Sequence, residues 1–321
     1  MGWSSVGTPR FFVNVLEWGA LNGIIEIDDV FRTLPINPQP VSRIDIAIPN
    51  DFLHTLGVFN DNTTDGSGAA LFILGHEAKS QNALRGLWGN PYYSGAGNFN
   101  VNWECEYDGW TMATITQNFA ENMEFGWIDA TDGASIRTIN TGSIVYSNYY
   151  TMPHSPDMKL SIDYETGTRT VETKGGASLS NTFGFPPKWG NLGQWELNRP
   201  EQETPRQNLA HKSRRIFNLS FSYLSESDMF PEYNTLNRYS NESLSEHDHN
   251  NNTVNTSATL LGSDNFISQV WNRVGNRLPF IFQPDNTVNE FAICKIVGKG
   301  LKVNQVAHKV YSISLKLREV W

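Results

Sequence analysis

Apolar and polar residues alternate with a period of two in several stretches of the chain, and this period predicts β-strands. Two of the clearest stretches lie near the C-terminal end, at residues 217–223 and 311–318. Because strand side chains point alternately to opposite faces of a sheet, the apolar positions of the second stretch should share one buried face. We therefore predict a terminal strand that serves the core or an oligomer contact, formed by Tyr311, Ile313, Leu315 and Leu317.

The same period of two occurs in the front part of the chain, at residues 40–174. Ile44, Ile46 and Ile48 occupy alternate positions, and residues 71–74 form a continuous apolar run typical of a strand buried on both faces. Alternating residues at 158–164, a turn at 165–168 and a returning run at 169–173 predict a hairpin. We interpret 40–174 as a jelly-roll-like β domain, preceded by an N-terminal segment, 1–39, that packs on the body.

A single helical pattern stands out near the C-terminal end, at residues 264–275. Asp264 can act as the N-cap and Gly275 lies where a helix ends in the left-handed conformation. One apolar stripe at helical spacing lies between them and consists of Phe266, Ile267, Val270, Trp271 and Val274. Residues 214–321 are thus predicted to form a β-sandwich with one helix.

The stretch 175–213 differs in composition from both neighbours. Glycine and proline punctuate it, and Trp189 and Trp195 lie within it, which predicts an extended connector with tryptophan anchors. The predicted fold class is therefore mostly β, with a β-sandwich or jelly-roll front domain and a C-terminal β-sandwich that carries one helix.

Charge is unevenly distributed along the chain. The 321 residues carry a net charge of −9, which argues against binding of free nucleic acid. Residues 1–210 hold 12 Lys and Arg against 23 Asp and Glu, a net of −11, whereas residues 211–321 hold 12 against 10, a net of +2. Because interface cores are depleted of charge, we expect the C-terminal part to supply most subunit contacts. The alternative is that the front domain forms the ring and the C-terminal part docks.

Sequence motifs for catalysis are absent, and no enzyme activity, cofactor or metal is expected. There is no G-x-S-x-G, no P-loop, no H-E-x-x-H and no C-x-x-C. Cys105 and Cys294 are expected to be free buried thiols, and His76 to be a hydrogen-bonded packing residue. A metal role for 246–249 is a minor alternative to a solvated loop.

Two further alternatives concern glycans. Four aromatic residues could stack on sugar rings, although packing is the preferred interpretation, and these are Trp88, Tyr92, Tyr93 and Trp110. The carboxylate pairs Glu104 with Glu106, and Asp129 with Asp132, could instead cleave a glycan, although a solvated acidic face is preferred.

Several segments resemble a group of uncharacterised virion proteins from marine and cyanobacterial tailed phages. The segments are KGGASLSN at 174–181, PPKWG at 186–190, RRIFNLSFSYL at 214–224, LPFIFQPD at 278–285 and LKLREVW at 315–321. The order of strands and helix in 214–321 also resembles the tail-tube-like domain of distal tail and minor tail proteins. In the front part, Leu74, Gly75 and His76 are similar to a motif of phage jelly-roll modules, some of which bind sugars.

The resemblance implies a non-enzymatic structural protein of the virion tail, assembled in the host cytoplasm. It would form a homo-oligomeric ring, expected to be a hexamer, that joins the tail tube to the hub or to receptor-binding proteins. Its partners would be other tail or baseplate proteins and possibly host-surface glycans, with no membrane insertion. A carbohydrate-binding or receptor-binding tail module and a glycan-degrading tail enzyme are the alternatives.

Overall fold

The computed structural model describes residues 7–34, 38–47, 67–76, 82–86, 109–115, 122–129, 135–158, 160–166, 168–182, 213–231, 265–288 and 290–320. Most of these residues lie in strands. The strands are β1 Arg10–Asn14, β2 Gln39–Val41, β3 Arg43–Ala47, β4 Ser67–His76, β5 Asn82–Gly86, β6 Gly109–Ile115, β7 Asn122–Asp129, β8 Ile139–Thr141, β9 Ser143–Thr151, β10 Ser161–Thr166, β11 Thr168–Glu172, β12 Ser178–Thr182, β13 Ser213–Ser225, β14 Phe280–Gln283, β15 Ala292–Ile296, β16 Val303–Ala307 and β17 Val310–Glu319. The predicted mostly-β class is confirmed.

One antiparallel sheet of ten strands dominates the described residues. Its order is β10-β13-β17-β15-β14-β1-β9-β4-β6, and β16 pairs with β17 beside this path. Three smaller sheets accompany it, with orders β3-β7-β5, β2-β8 and β11-β12. Antiparallel sheets of this kind can bury one face or both, depending on which other elements cover them.

The N-terminal strand β1 lies in the middle of the main sheet. Phe11 is opposite Phe282 of β14 on one side and opposite Tyr150 of β9 on the other. Strand β1 thereby joins strands from 40–174 to strands from 214–321 within a single sheet. The predicted division into separate domains stays a prediction, and residues 178–182 of the predicted connector form strand β12.

Apolar residues are buried on both faces of the main sheet. Phe11 belongs to a large cluster on one face, which also contains Ile44 and Trp127 from the small sheet β3-β7-β5. Phe12 points to a second cluster, in which it meets the Phe72 ring edge-on at 5.0 Å. Each such aromatic pair adds about 1 kcal/mol beyond the burial of its area, so β1 is a central core strand.

Short helices pack on this framework. Helix α1, Val15–Leu21, begins directly after β1, because the side chain of Asn14 accepts hydrogen bonds from the backbone N–H groups of Leu16 and Glu17. Helix α2 spans Glu226–Met229. The sequence pattern predicted neither helix, because each is too short to display a helical period.

Helix α3 is the predicted C-terminal helix and is confirmed. It runs through a π-helical part, Ile267–Trp271, and a last turn, Asn272–Val274. Phe266, Val270 and Val274 lie in the large apolar cluster. Gly275 follows with φ 51°, a left-handed backbone that favours glycine. The predicted N-cap, Asp264, lies outside the described residues.

The predicted hairpin between 158–164 and 169–173 is wrong. Strand β10 pairs with β13, and β11 pairs with β12, so the two predicted partners follow one another along the chain without pairing. The turn composition at 165–168 favoured a reversal, but tertiary pairing with β13 holds β10 in a different alignment.

Candidate assembly surface

Strands β11 and β12 form a two-stranded hairpin, here called the arm (residues 168–182). Its register runs from Thr168 opposite Thr182 to Glu172 opposite Ser178. At the tip, the Thr173 backbone N–H donates to the Ala177 carbonyl at 2.9 Å. Gly176 supplies φ 79° there, which a side chain would disfavour. At about 3.3 Å per residue, each strand of the arm is roughly 17 Å long.

The arm is exposed on both of its faces. Every residue from 170 to 180 is exposed, and the cross-strand neighbours Val171 and Leu179 have exposed fractions of 50% and 62%. An isolated two-stranded hairpin is only marginally stable in water, because it buries too little apolar area to offset its loss of chain entropy. The arm therefore has the character of a segment that is stabilised by a surface other than its own body.

The base of the arm lies at the edge of the main sheet. Strand β10 leads into β11 and pairs, among the described residues, with β13 alone. Its Tyr164 is opposite Arg215 and is 58% exposed. Tyr223, on β13, is 81% exposed, at a β-bulge that places one extra residue on β13 between Phe221 and Leu224. Such bulges redirect a side chain, here towards solvent.

Polar contacts fix β10 to the body on its outer face. The Arg318 guanidinium binds the Glu165 carboxylate, with Nη2 to Oε2 at 2.6 Å. Asn218 donates to Asp163 at 2.8 Å and to Ser161 at 2.9 Å. Burial and the neighbouring cation of Arg318 lower the pKa of Arg214, which is opposite Glu165. The base is thus held firmly while the arm extends from it.

A buried ion pair lies behind this edge. Arg215 Nη2 lies 2.5 Å from Glu319 Oε1, and the backbone N–H of Arg215 donates to Glu319 Oε2 at 2.6 Å. Both side chains are nearly inaccessible, with exposures of 7% and 1%. Cys294 is opposite Glu319, and burial, with a smaller effect of that carboxylate, raises the pKa of its thiol. Cys294 is a free, buried thiol, as predicted.

The predicted terminal strand is β17, and its apolar residues face the large cluster. Ile313, Leu315 and Leu317 are buried, with exposures of 1%, 3% and 0%. Tyr311 is partly buried, and its ring lies 5.0 Å from that of Phe230. A role of this strand in an oligomer contact stays a prediction.

The predicted glycan residues are only partly within the described chain. Trp88, Tyr92 and Tyr93 lie outside it, as do Glu104, Glu106, Asp132 and the segment 246–249. Trp110 lies in β6 opposite Leu74. Sugar stacking and glycan cleavage therefore stay predictions, and Asp129 forms an ion pair with Arg137 at 2.6 Å.

His76 has the environment of a packing residue. It is completely buried, its Nε2 lies 2.8 Å from Thr111 Oγ1, and its ring lies 5.1 Å from that of Trp127. Within the described ranges, no group of three or more His, Cys, Asp or Glu side chains could hold a metal ion. No helix in the described part of the chain is long and apolar enough to cross a membrane.

The arm was missed by sequence reasoning, although a signal was available. Gly175 and Gly176 separate two runs of β-prone residues, and such pairs favour hairpin turns. Comparison with known proteins gives no family model, no curated protein and no solved structure that matches the chain. The function therefore has to be argued from the surfaces of the molecule.

Proposed function

We propose that this chain is a non-enzymatic structural subunit that assembles with copies of itself into a ring, as a distal tail or baseplate protein of a tailed phage. The observation that supports self-assembly is the arm, a hairpin exposed on both faces with an aliphatic cross-strand pair, Val171 and Leu179. The resemblance of 174–224 and 278–321 to phage virion proteins supports the virion setting.

The physical argument rests on what such an arm needs. Docked on a neighbouring subunit, it would bury its aliphatic pair and gain the third layer or strand that a two-stranded ribbon lacks. The arm and the surface that receives it are different parts of the chain, so the contact is heterologous, and heterologous contacts close into rings when the rotation permits. The resemblance favours a hexamer, which would join the tail tube to the hub or to receptor-binding proteins.

The arm can be tested with a matched pair of double variants. Val171→Asp with Leu179→Asp places two carboxylates on the aliphatic pair, and Thr170→Asp with Ser180→Asp places two carboxylates on the neighbouring exposed pair of the same ribbon. We expect the wild-type chain and the control to form one oligomer by size-exclusion chromatography with light scattering, and the first variant to be monomeric. A monomeric wild-type chain, or equal behaviour of both variants, would contradict the proposal.

The virion setting has a separate test. Mass spectrometry of purified particles of the encoding phage should detect the chain at a few copies per particle, in proportion to a single ring. Negative-stain images of the purified protein should show closed rings. Absence of the chain from purified particles would refute the assignment to the tail.

A further inference from the structure

A second surface that the proposed function leaves unassigned lies on β16 and the loops beside it. We call residues 297–309 the basic edge. They carry Lys299, Lys302 and Lys309, and no Asp or Glu occurs between Phe291 and Arg318. Among the described residues β16 pairs with β17 alone. Two aliphatic side chains of this segment, Val297 and Val306, are 42% and 55% exposed.

A surface with the opposite charge follows helix α1, at residues 21–29, and we call it the acidic face. It carries Glu26, Asp28 and Asp29 and has no Lys or Arg. Leu21 and Ile24 are 48% and 45% exposed. The inward positions in this stretch are Ile25 and Ile27, which pack against the large apolar cluster, so the carboxylates between and after them point outward.

Charges remain available on both surfaces. Lys309 pairs with Glu226 at 3.2 Å and Asp29 pairs with Arg32 at 2.8 Å, both within the same subunit. Within the part of the chain that is described, Lys299, Lys302, Glu26 and Asp28 are exposed and take part in no ion pair. Each surface therefore combines two half-exposed aliphatic residues with two unpaired charges of one sign.

We infer that the basic edge of one subunit docks on the acidic face of the next copy, in a head-to-tail contact. This inference rests on the proposed self-assembly and names the second surface pair that would build it. Complementary charge steers such contacts and suppresses wrong pairings, and the exposed aliphatic side chains supply area to be buried at the centre. Because the charges are exposed, salt screens their attraction over about 10 Å at 0.1 M, and assembly weakens as salt rises.

The test exchanges the charges between the two surfaces of the full chain. One variant carries Lys299→Glu with Lys302→Glu, which makes both surfaces acidic. The other carries Glu26→Lys with Asp28→Lys, which makes both surfaces basic. Each variant alone should self-associate roughly a hundredfold more weakly than wild type, because like charges face each other across the contact. Mixed in equal amounts, they should assemble again, since each then meets the opposite charge.

A control variant and a fourfold variant complete the design. Lys295→Glu with Lys316→Glu makes the same change in net charge at two positions outside the basic edge, and it should assemble as wild type does. The chain with all four exchanges should assemble by itself, which also shows that the altered chains fold. Light scattering at low and at about 0.5 M salt measures each case.

The outcomes separate this inference from the proposed function. If the arm variant is monomeric while both charge variants assemble normally, self-assembly stands and the head-to-tail contact is refuted. If the lysine exchange alone disrupts assembly and the mixture does not recover, the basic edge has another occupant, such as nucleic acid or a different acidic protein, and the inference is overturned. Recovery in the mixture and in the fourfold variant establishes it.

Discussion

Strand β17 and the arm have the same alternating pattern but opposite environments. In β17, Ile313, Leu315 and Leu317 are at most 3% exposed, whereas Val171 and Leu179 of the arm are at least half exposed. Strand β17 has β13 on one side and β15 and β16 on the other, whereas the arm strands pair with each other. Alternation therefore specifies a strand, but neighbouring strands and layers decide whether its apolar side becomes core or an exposed surface.

The two regions also differ in how they hold charge. Arg215 and Glu319 pair inside the sheet behind the base of the arm, while Arg318 and Glu165 pair on its outer face with exposures of 35% and 41%. Removal of one partner from a buried pair leaves an uncompensated charge without water. The exposed pair is solvated and contributes less than about 1 kcal/mol.

The largest effect is expected from a charge in the middle of β17. Leu315→Asp buries a carboxylate opposite Leu219, and we expect the chain to lose at least about 4 kcal/mol or to fail to fold. Ser314→Asp, at the exposed neighbouring position, should change the free energy of unfolding by less than about 0.5 kcal/mol. Denaturant unfolding measures both, and equal effects would contradict the burial of this face.

The buried ion pair should be the next most sensitive point. Glu319→Ala leaves Arg215 unpaired and should cost about 3–5 kcal/mol, whereas Glu165→Ala should cost less than about 1 kcal/mol. Replacing Arg215 by Met together with Glu319 by Leu should recover most of the loss, because an apolar pair needs no compensation. If Glu319→Ala is as mild as Glu165→Ala, the pair is solvated and its environment differs from the one described.

A smaller and pH-dependent effect is expected from Cys294. Burial raises the pKa of its thiol in the folded chain, so its proton is held more tightly there than in the unfolded chain. The stabilising contribution is complete below the ordinary thiol pKa of about 8.5 and decreases as pH rises above it, by up to about 1.4 kcal/mol per pH unit. In a Cys105→Ser background, unfolding between pH 7 and pH 10 should reveal this loss, and Cys294→Ala should reduce it.

The smallest effect on stability is expected in the arm. Val171→Asp with Leu179→Asp should change the free energy of unfolding of the monomer by less than about 0.5 kcal/mol, since both side chains are exposed. Hydrogen exchange should be fast at the arm amides in the monomer and slow in the assembly, while β17 is protected in both. Fast exchange of the arm within the assembled ring would show that the arm remains undocked.

Much of the fold followed from local patterns in the sequence. The alternation of 311–318 gave a strand, and the stripe from Phe266 to Val274, followed by Gly275, gave the C-terminal helix. Pairing partners were harder to predict. The composition of 165–168 suggested a reversal, but β10 pairs with β13, some fifty residues further along the chain. Local turn preferences amount to about 1 kcal/mol or less, which long-range pairing readily exceeds.

The sequence by itself determined the mostly-β class, the face of β17 that carries apolar residues and the contrast between an acidic front and a near-neutral C-terminal part. Only the tertiary structure decided that β1 lies at the centre of the main sheet, that Arg215 meets Glu319 and that the arm is exposed. The physical reason is that periodicity is a property of neighbouring residues, whereas burial and ion pairing depend on residues that are distant along the chain.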